Sequence, residues 1–177
     1  MVDRLHLLDE ETRDQRVWRI LGAVEDPEIP VLSVVDLGIV RHVRWLTDAE
    51  PEIGITPTYS GCPATEVIRE SVRRALYVGG YPKARLVEVL SPPWSSSWIS
   101  EAGRAKLEAY GIAPPNCTVD AALMPVCPRC ASENGENGEN GENGENVELI
   151  SEFGSTPCKA LYRCRTCLEP FDYFKPF

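Results

Sequence analysis

Residues 52–80 read EIGITPTYSGCPATEVIRESVRRALYVGG, and this stretch decides the fold of the chain. Glu52 to Tyr59 has the composition of a strand, the second of a hairpin. Ser60-Gly61-Cys62-Pro63 is a tight turn, and Pro63 suits the first position of a helix, where its missing N–H costs nothing. From Ala64 to Val78 the apolar Val67, Ile68, Val72, Ala75 and Leu76 recur at helical spacing, and Gly79-Gly80 ends the run. A strand therefore turns directly into an amphipathic helix, with a cysteine at the junction.

The flanks extend this unit. Thr12 to Val24 places Val17, Ile20, Leu21 and Val24 on one helical face, and Asp26-Pro27 stops that helix because proline disfavours helix in the residue before it. Asp26-Pro27-Glu28-Ile29-Pro30 is an irregular loop. Val34-Val35-Asp36-Leu37-Gly38 leads into a strand from Ile39 to Leu46, and Thr47 to Pro51 makes the hairpin turn. Downstream, Ala84 to Leu90 alternates as a third strand, Pro92-Pro93-Trp94 is a stiff aromatic loop, and Ser100 to Tyr110 is a short helix capped by Gly111. The order helix, strand, strand, helix, strand, helix predicts a small α/β (α+β) sandwich over residues 1–115, with helices on one face of a three-stranded sheet.

A connector over residues 116–123 reaches a different kind of unit, residues 124–177. Cys127-Pro-Arg-Cys130 and Cys164-Arg-Thr-Cys167 are two Cys-x-x-Cys pairs with 33 residues between them. Each pair is one tight turn aiming two sulfurs at one point, and the two together supply the four thiolates of a tetrahedral metal site. Four protein ligands leave no open position, so the role read here is structural: one zinc per chain in a four-cysteine zinc ribbon. Rubredoxin-type iron is the alternative for the same spacing. Between the pairs, Glu-Asn-Gly repeats from Glu133 to Asn146. This low-complexity segment has nothing apolar to bury and is expected to be a disordered loop tip.

Composition narrows the function classes. The formal net charge of −9 and pI near 4.8 speak against a general grip on nucleic-acid phosphates. Five of the 27 acids lie in the repeat; without them 22 acids face 18 bases, so the body is only mildly acidic. No apolar run approaches the roughly 20 residues of a membrane span, and Met1 to Arg16 is charged throughout, unlike a signal peptide. Seven cysteines in a chain read as cytoplasmic point to metal or thiol chemistry rather than disulfides. No Ser/His/Asp arrangement, phosphate-binding glycine loop or His-Glu-x-x-His motif is present.

Cys62 stands apart from the ribbon set. Free N–H groups and the dipole at a helix N-terminus stabilise a thiolate, and Gly61 leaves the sulfur approachable. Thr56, Thr58 and Ser60 add hydroxyls nearby. The competing reading is a partly buried cysteine in a tight turn. Asp26, Glu28 and Asp36 form an acidic loop that could steer a metal ion to the thiol, or could simply cap local turns. Cys158 reads as a small buried residue, with a substitute ligand or transfer thiol as the other option. Cys117 has no assigned role, and His6 and His42 lack a catalytic partner. Trp94, Trp98, Phe171, Tyr173, Phe174 and Phe177 read as ribbon core, or as a contact surface for a partner.

Asp26-Pro-Glu-Ile-Pro30, Val34-Val-Asp-Leu-Gly-Ile-Val40 and Gly61-Cys-Pro63 together resemble the MIP18 family, also called the DUF59 or iron–sulfur cluster assembly domain, from about Val17 to Leu90. Pro92-Pro-Trp94, Trp98-Ile-Ser-Glu-Ala-Gly103, Tyr110-Gly-Ile-Ala-Pro-Pro115 and Glu169-Pro-Phe-Asp-Tyr-Phe-Lys175 narrow the resemblance to the D-subunit family of the bacterial phenylacetyl-CoA epoxidase system. The resemblance implies an accessory protein of phenylacetate catabolism, without a catalytic residue of its own. It would help to mature an iron–sulfur or di-iron centre. It also implies that Cys62 is the reactive thiol, a transient ligand of iron or of an iron–sulfur cluster, with Glu28 as the family's loop acid. A lone cysteine cannot hold a cluster, which generally takes about four ligands. A homodimer across the Cys62 turn is therefore expected. The partners implied are epoxidase subunits or iron–sulfur assembly proteins, with no nucleic acid and no membrane. The Glu-Asn-Gly repeat departs from the family pattern but leaves all four ribbon ligands in place.

Overall fold

The structure is a computed structural model that describes residues 11–59, 62–116, 124–130 and 146–177. His6, Ser60, Gly61, Cys117 and the repeat up to Glu145 lie outside the described residues. Helix α1 spans Arg13–Gly22. A reciprocal capping box starts it: Gln15 donates its backbone N–H to the Thr12 hydroxyl, and Thr12 donates its own to Gln15 Oε1 at 2.8 Å. Val17 and Leu21, one turn apart, are fully buried. The chain then leaves the helix at Ala23, ahead of Pro27, as expected.

Strands β1 (Val40–Thr47) and β2 (Glu50–Ile55) form an antiparallel hairpin, and β3 (Arg85–Glu88) runs parallel to β2 on its other side. Helix α2 (Ala64–Val78) supplies the crossover that a parallel pair requires. Its Ala64, Ile68, Val72 and Leu76 pack into one core with Val17 and Leu21 of α1 and with Ile53 and Ile55 of β2. The sandwich expected from the sequence is thus observed. Two details differ. Strand β2 ends at Ile55 rather than Tyr59, because Pro57 has no N–H to give a ladder. Val67 keeps helical spacing but stays 52% exposed, on the outer side of α2.

Helix α3 (Glu101–Tyr110) is capped by the Ser100 hydroxyl and stopped by Gly111 in the left-handed region at φ 91°. It packs on the loop before β1, where Gly103 lies against Asp36 and Gly38 lies against Trp98. Directly after α3, the two-residue strand β4 (Ile112–Ala113) joins a second sheet. That sheet runs β4-β7-β6-β5, with β5 Val147–Ser151, β6 Lys159–Cys164 and β7 Pro170–Phe174. Ile112 pairs with Asp172 and Ala113 with Tyr173, so residues expected to close the sandwich also form the edge of the ribbon.

The aromatic tail is the seam between the two units. Phe174 is buried in the sandwich core and tilts against Trp94 at 6.2 Å, while Phe171 and Tyr173 face the ribbon core with Tyr162. Trp94 is itself buried and donates its indole N–H to the Leu37 carbonyl at 2.9 Å. Burying a side chain the size of Phe174 is worth about 1.5–3 kcal/mol, enough to fix the ribbon on the sandwich. No helix of the described residues is long and apolar enough to cross a membrane.

Candidate functional sites

The ribbon cysteines converge. Cys127 and Cys130 flank a turn, Cys164 ends β6, and Cys167 sits in the turn to β7. Their sulfurs all lie within 4.8 Å of one another, with Cys127 and Cys167 3.8 Å apart and Cys130 and Cys164 3.5 Å apart. A tetrahedral thiolate site with metal–sulfur bonds of about 2.3 Å needs sulfurs about 3.8 Å apart, so these side chains lie close to the spacing a four-coordinate metal requires. Cys164 is fully buried. Burial opposes its ionisation but is outweighed by the N–H groups of Cys167 and Thr166 and by Cys130, and its thiol is pulled down to about 7. Backbone N–H groups of the knuckle thus favour the thiolate that a metal requires. Leu168 follows this knuckle at φ 63°, a conformation forced on a non-glycine residue by the turn.

The second site is built on the other unit. Cys62 lies between β2 and α2, at the carboxyl end of the parallel β2–β3 pair, where open α/β sheets place their ligands. Its N–H donates to the Tyr59 carbonyl at 3.2 Å, and its own carbonyl accepts from Thr65, which holds the turn against the helix start. Pro63 occupies the N-cap without a side-chain capping bond. The thiol is half-buried and borders a cleft of about 10 Å³, room for about one water, lined by Ile39, Ile55, Thr58, Thr65 and Ile68. Thr56 is not a free hydroxyl: it is buried and donates to the Val89 carbonyl at 2.8 Å, fastening β2 to the end of β3.

Glu28 approaches this site from the Asp-Pro-Glu loop. Asp26 sets the loop by accepting the N–H groups of Glu28 and Ile29 through Oδ1, at 2.9 and 2.8 Å. Burial raises the Asp26 carboxyl above its ordinary value, against the pull of those N–H groups and of Lys159. Tyr59 completes the near side. Its hydroxyl is buried, with no hydrogen bond of ordinary geometry among the described residues. Burial, then the adjacent Cys62 thiol, then the negative charge of Glu28 and of Cys158 push its ionisation upward.

Cys158 arrives from the ribbon. It is buried just ahead of β6, donates its S–H to Glu28 Oε2 at 3.7 Å, and lies 3.0 Å from the Thr156 hydroxyl. Burial pushes its thiol up to about 11, partly offset by Thr156. Lys159 beside it is a buried cation paired with Asp172 at 3.2 Å. Cys62, Tyr59, Glu28 and Cys158 therefore share one neighbourhood, with Asp26 behind them.

Asp36 does not turn toward this group. Its carboxylate accepts from the Ser33 N–H and hydroxyl at 2.9 and 2.8 Å and pairs with Lys106 at 2.6 Å, bolting α3 to the loop before β1. Sequence pattern singles out neither Tyr59 nor Lys159. Tyr59 carries a local signal, its place three residues before Cys62. Lys159 carries none, because only the docking of the ribbon brings it near Asp26. His42 packs its ring over Gly54 on the neighbouring strand, with Nε2 3.7 Å from Glu52.

Known proteins match both units. Residues 14–89 match the family described as iron-sulfur cluster assembly protein, and residues 143–175 match the PaaD zinc beta ribbon domain. A protein of Escherichia coli (strain K12) named as the D subunit of 1,2-phenylacetyl-CoA epoxidase is 45% identical over 162 residues, covering 90% of each chain. An Fe-S protein maturation auxiliary factor of Porphyromonas gingivalis is 33% identical over 95 residues, 53% of this chain and 90% of that one. A solved DUF59 domain from Bacillus anthracis is 30% identical with a TM-score of 0.48, covering 52% of this chain and 88% of that one. With an assembly domain and a PaaD ribbon in one chain, and near-half identity across nine-tenths of both proteins, this chain belongs to the D-subunit family of the 1,2-phenylacetyl-CoA epoxidases.

Proposed function

We propose that this chain is an accessory maturation factor for the phenylacetyl-CoA epoxidase of phenylacetate catabolism, acting in the cytoplasm. Its cargo is iron or a nascent iron–sulfur cluster, taken up transiently at Cys62 and passed to a protein of the epoxidase complex or exchanged with iron–sulfur assembly proteins. One observation carries the reading: the Cys62 thiol sits at the carboxyl end of a parallel strand pair, beside the buried Tyr59 hydroxyl, which also feels the charge of Glu28. A thiol, a carboxylate and a phenol are soft and hard donors in one place, which suits iron delivery better than acyl transfer or hydrolysis. The family membership supports it, since related proteins bear the name of iron–sulfur maturation factors.

In this reading the chain divides at residues 1–115, 116–123 and 124–177, the first part handling cargo and the last holding one structural zinc on Cys127, Cys130, Cys164 and Cys167. Zinc supplies cross-linking alone, because four cysteines leave it no open position. The cargo needs more donors than one thiol, and a second copy across the Cys62 turn would provide them.

The test is metal analysis of wild type beside Cys62→Ser after supply of iron and sulfide, paired with growth on phenylacetate in a host lacking the gene. The variant is expected to keep one zinc and its circular dichroism while losing the labile iron and the growth. Full restoration of growth by Cys62→Ser overturns the reading.

A further inference from the structure

We propose that Cys158 is the second sulfur of the Cys62 site, so that Cys62, Cys158 and Glu28 hold one thiophilic divalent cation between the assembly domain and the ribbon. The inference rests on the cargo reading of Cys62 and adds a donor from the same chain.

Three observations carry it. Cys158 belongs by sequence to the ribbon, yet it is buried in the sandwich core and not in the ribbon core where the four knuckle cysteines sit. Its thiol donates to the Glu28 carboxylate across a separation of 130 residues, the only hydrogen bond among the described residues that Glu28's side chain is seen to receive. The buried Tyr59 hydroxyl touches the Cys62 thiol and lies within the field of both Glu28 and Cys158, so it links the Cys62 turn to the Cys158–Glu28 contact. A buried hydroxyl whose partner is a thiol is weakly satisfied, and a cation or its bound water at this point would answer it.

The donor set defines the occupant. Two thiolates and one carboxylate carry three negative charges, and they suit Fe(II), Zn(II) or Co(II) rather than Mg(II) or Ca(II). Three protein donors leave a tetrahedral ion one open position, as a site that must release its ion requires, in contrast to the closed ribbon centre. The charges acting on Cys158 are Glu28, Lys159 and Asp26; Lys159 pairs with Asp172 and Asp26 holds the loop N–H groups, so Glu28 is the acid available to a cation. Among the described residues only the knuckle cysteines already lie within 4.8 Å of one another. Closing this site therefore takes a movement of the Cys62 side chain toward the Cys158–Glu28 pair.

The ribbon acquires a purpose beyond bracing. The backbone carbonyl of Cys158 accepts from the Lys175 N–H at 2.9 Å, and the strand that follows pairs with β7, whose Phe174 is anchored on Trp94. The metal-held ribbon thereby places Cys158 over Glu28.

Cobalt(II) is the probe, added anaerobically to full-length protein already carrying one zinc. The thiolate-to-cobalt charge-transfer band counts the sulfurs bound. Wild type is expected to take one further cobalt with a two-thiolate band. Cys158→Ser and Cys62→Ser should each fall to about half that intensity and bind at least about tenfold more weakly, since even outer partners of a metal commonly cost 10–100-fold. Glu28→Gln should weaken binding and leave the band per bound cobalt unchanged. If Cys158→Ser binds as wild type does while Cys62→Ser loses the band, the inference falls and the cargo reading stands. If Cys62→Ser also binds as wild type does, both fall. A one-thiolate band in wild type overturns the inference without any variant, so poor folding of Cys158→Ser does not shield it. Failure of wild type to bind a further cobalt overturns it as well, and leaves the cargo reading to the growth test.

Discussion

The Phe177 ring stacks on the Tyr59 ring, with centroids 6.0 Å apart and planes 13° from parallel. This contact joins the segment after β7 to the loop that carries Cys62. Phe177 also lies 6.2 Å from Trp94 and is tied to Ser96, whose N–H donates to the Phe177 carbonyl at 3.2 Å and whose hydroxyl accepts from the Phe177 N–H at 3.3 Å. The ribbon is thus clasped to the cargo loop by aromatic packing, and the clasp keeps Tyr59 turned inward beside Cys62.

Phe177→Ala should therefore loosen the seam without unfolding either unit. An aromatic pair of this kind adds about 0.5–1.5 kcal/mol beyond area burial, and Phe177 is 45% exposed, so a loss of about 1 kcal/mol is expected. Urea unfolding measures it. Phe177→Tyr should restore most of the loss; equal stability of wild type and Phe177→Ala would show that the stack contributes nothing.

The knuckle geometry makes a sharper prediction. Cys164 is fully buried at the centre of the ribbon core, with Tyr162, Phe171 and Tyr173 around it. Structural zinc sites contribute about 10–16 kcal/mol of apparent binding energy in small domains, far more than the few apolar residues here can replace. Cys164→Ser should drop bound zinc well below one per chain and expose the ribbon to limited proteolysis, while the assembly domain keeps its helical circular dichroism. Strong chelators should do the same to wild type. Retention of one zinc by Cys164→Ser would rule out the four-cysteine site.

Local pattern made most of these elements legible. The spacing of Ile68, Val72 and Leu76 marks α2, and the two Cys-x-x-Cys turns mark the metal centre, because both signals lie within a few residues of each other. What stayed hidden depends on long-range docking. Strand β4 is two residues long and has no pattern of its own; only its pairing with β7 makes it a strand. Cys158 reads as a buried neighbour of the ribbon, and so it is buried, but against Glu28, 130 residues away. The Asp26–Glu28 segment was legible as a loop whose acids could cap local turns, and Asp26 does so through its bonds to the Glu28 and Ile29 N–H groups. Asp36 sits in the same acidic stretch, yet its partners Ser100 and Lys106 come from an element no local pattern connects to it.

Gly38 is a position where the backbone permits nothing else. It stands at φ 67°, and a Cβ there would meet the Trp98 carbonyl oxygen at 2.6 Å and its Cβ at 2.8 Å. The left-handed conformation alone costs a side chain about 1–2 kcal/mol, and the carbonyl belongs to a backbone that α3 and the Arg41–Trp98 stack hold in place. Gly38→Ala is expected to cost more than about 2 kcal/mol in urea or guanidinium unfolding. A change under about 0.5 kcal/mol would mean that the Trp98 loop moves aside freely.

The Asp36–Lys106 pair sets an acid limit on stability. Burial works against the charge of Asp36, but the Lys106 ammonium at 2.6 Å and the Ser33 N–H and hydroxyl outweigh it, and the carboxyl is held below its ordinary value. The unfolded chain titrates this group at about 3.9. A carboxyl depressed in the folded state binds its proton later than the unfolded one does. Its contribution is therefore fully present above about pH 4 and is lost as pH falls through the folded value. Lys106 is 49% exposed, which trims the pair to about 1–2 kcal/mol. Asp36→Asn should lower stability by that amount at pH 7 and unfold with a shallower dependence on pH below about 4 than wild type. Lys106→Met should reproduce the loss at pH 7 only in part, because the Ser33 bonds survive it. Parallel stability curves for wild type and Asp36→Asn from pH 7 down to 3 would remove Asp36 from the groups that govern acid unfolding and leave α3 held to the sheet by Leu107 and Gly103 packing alone.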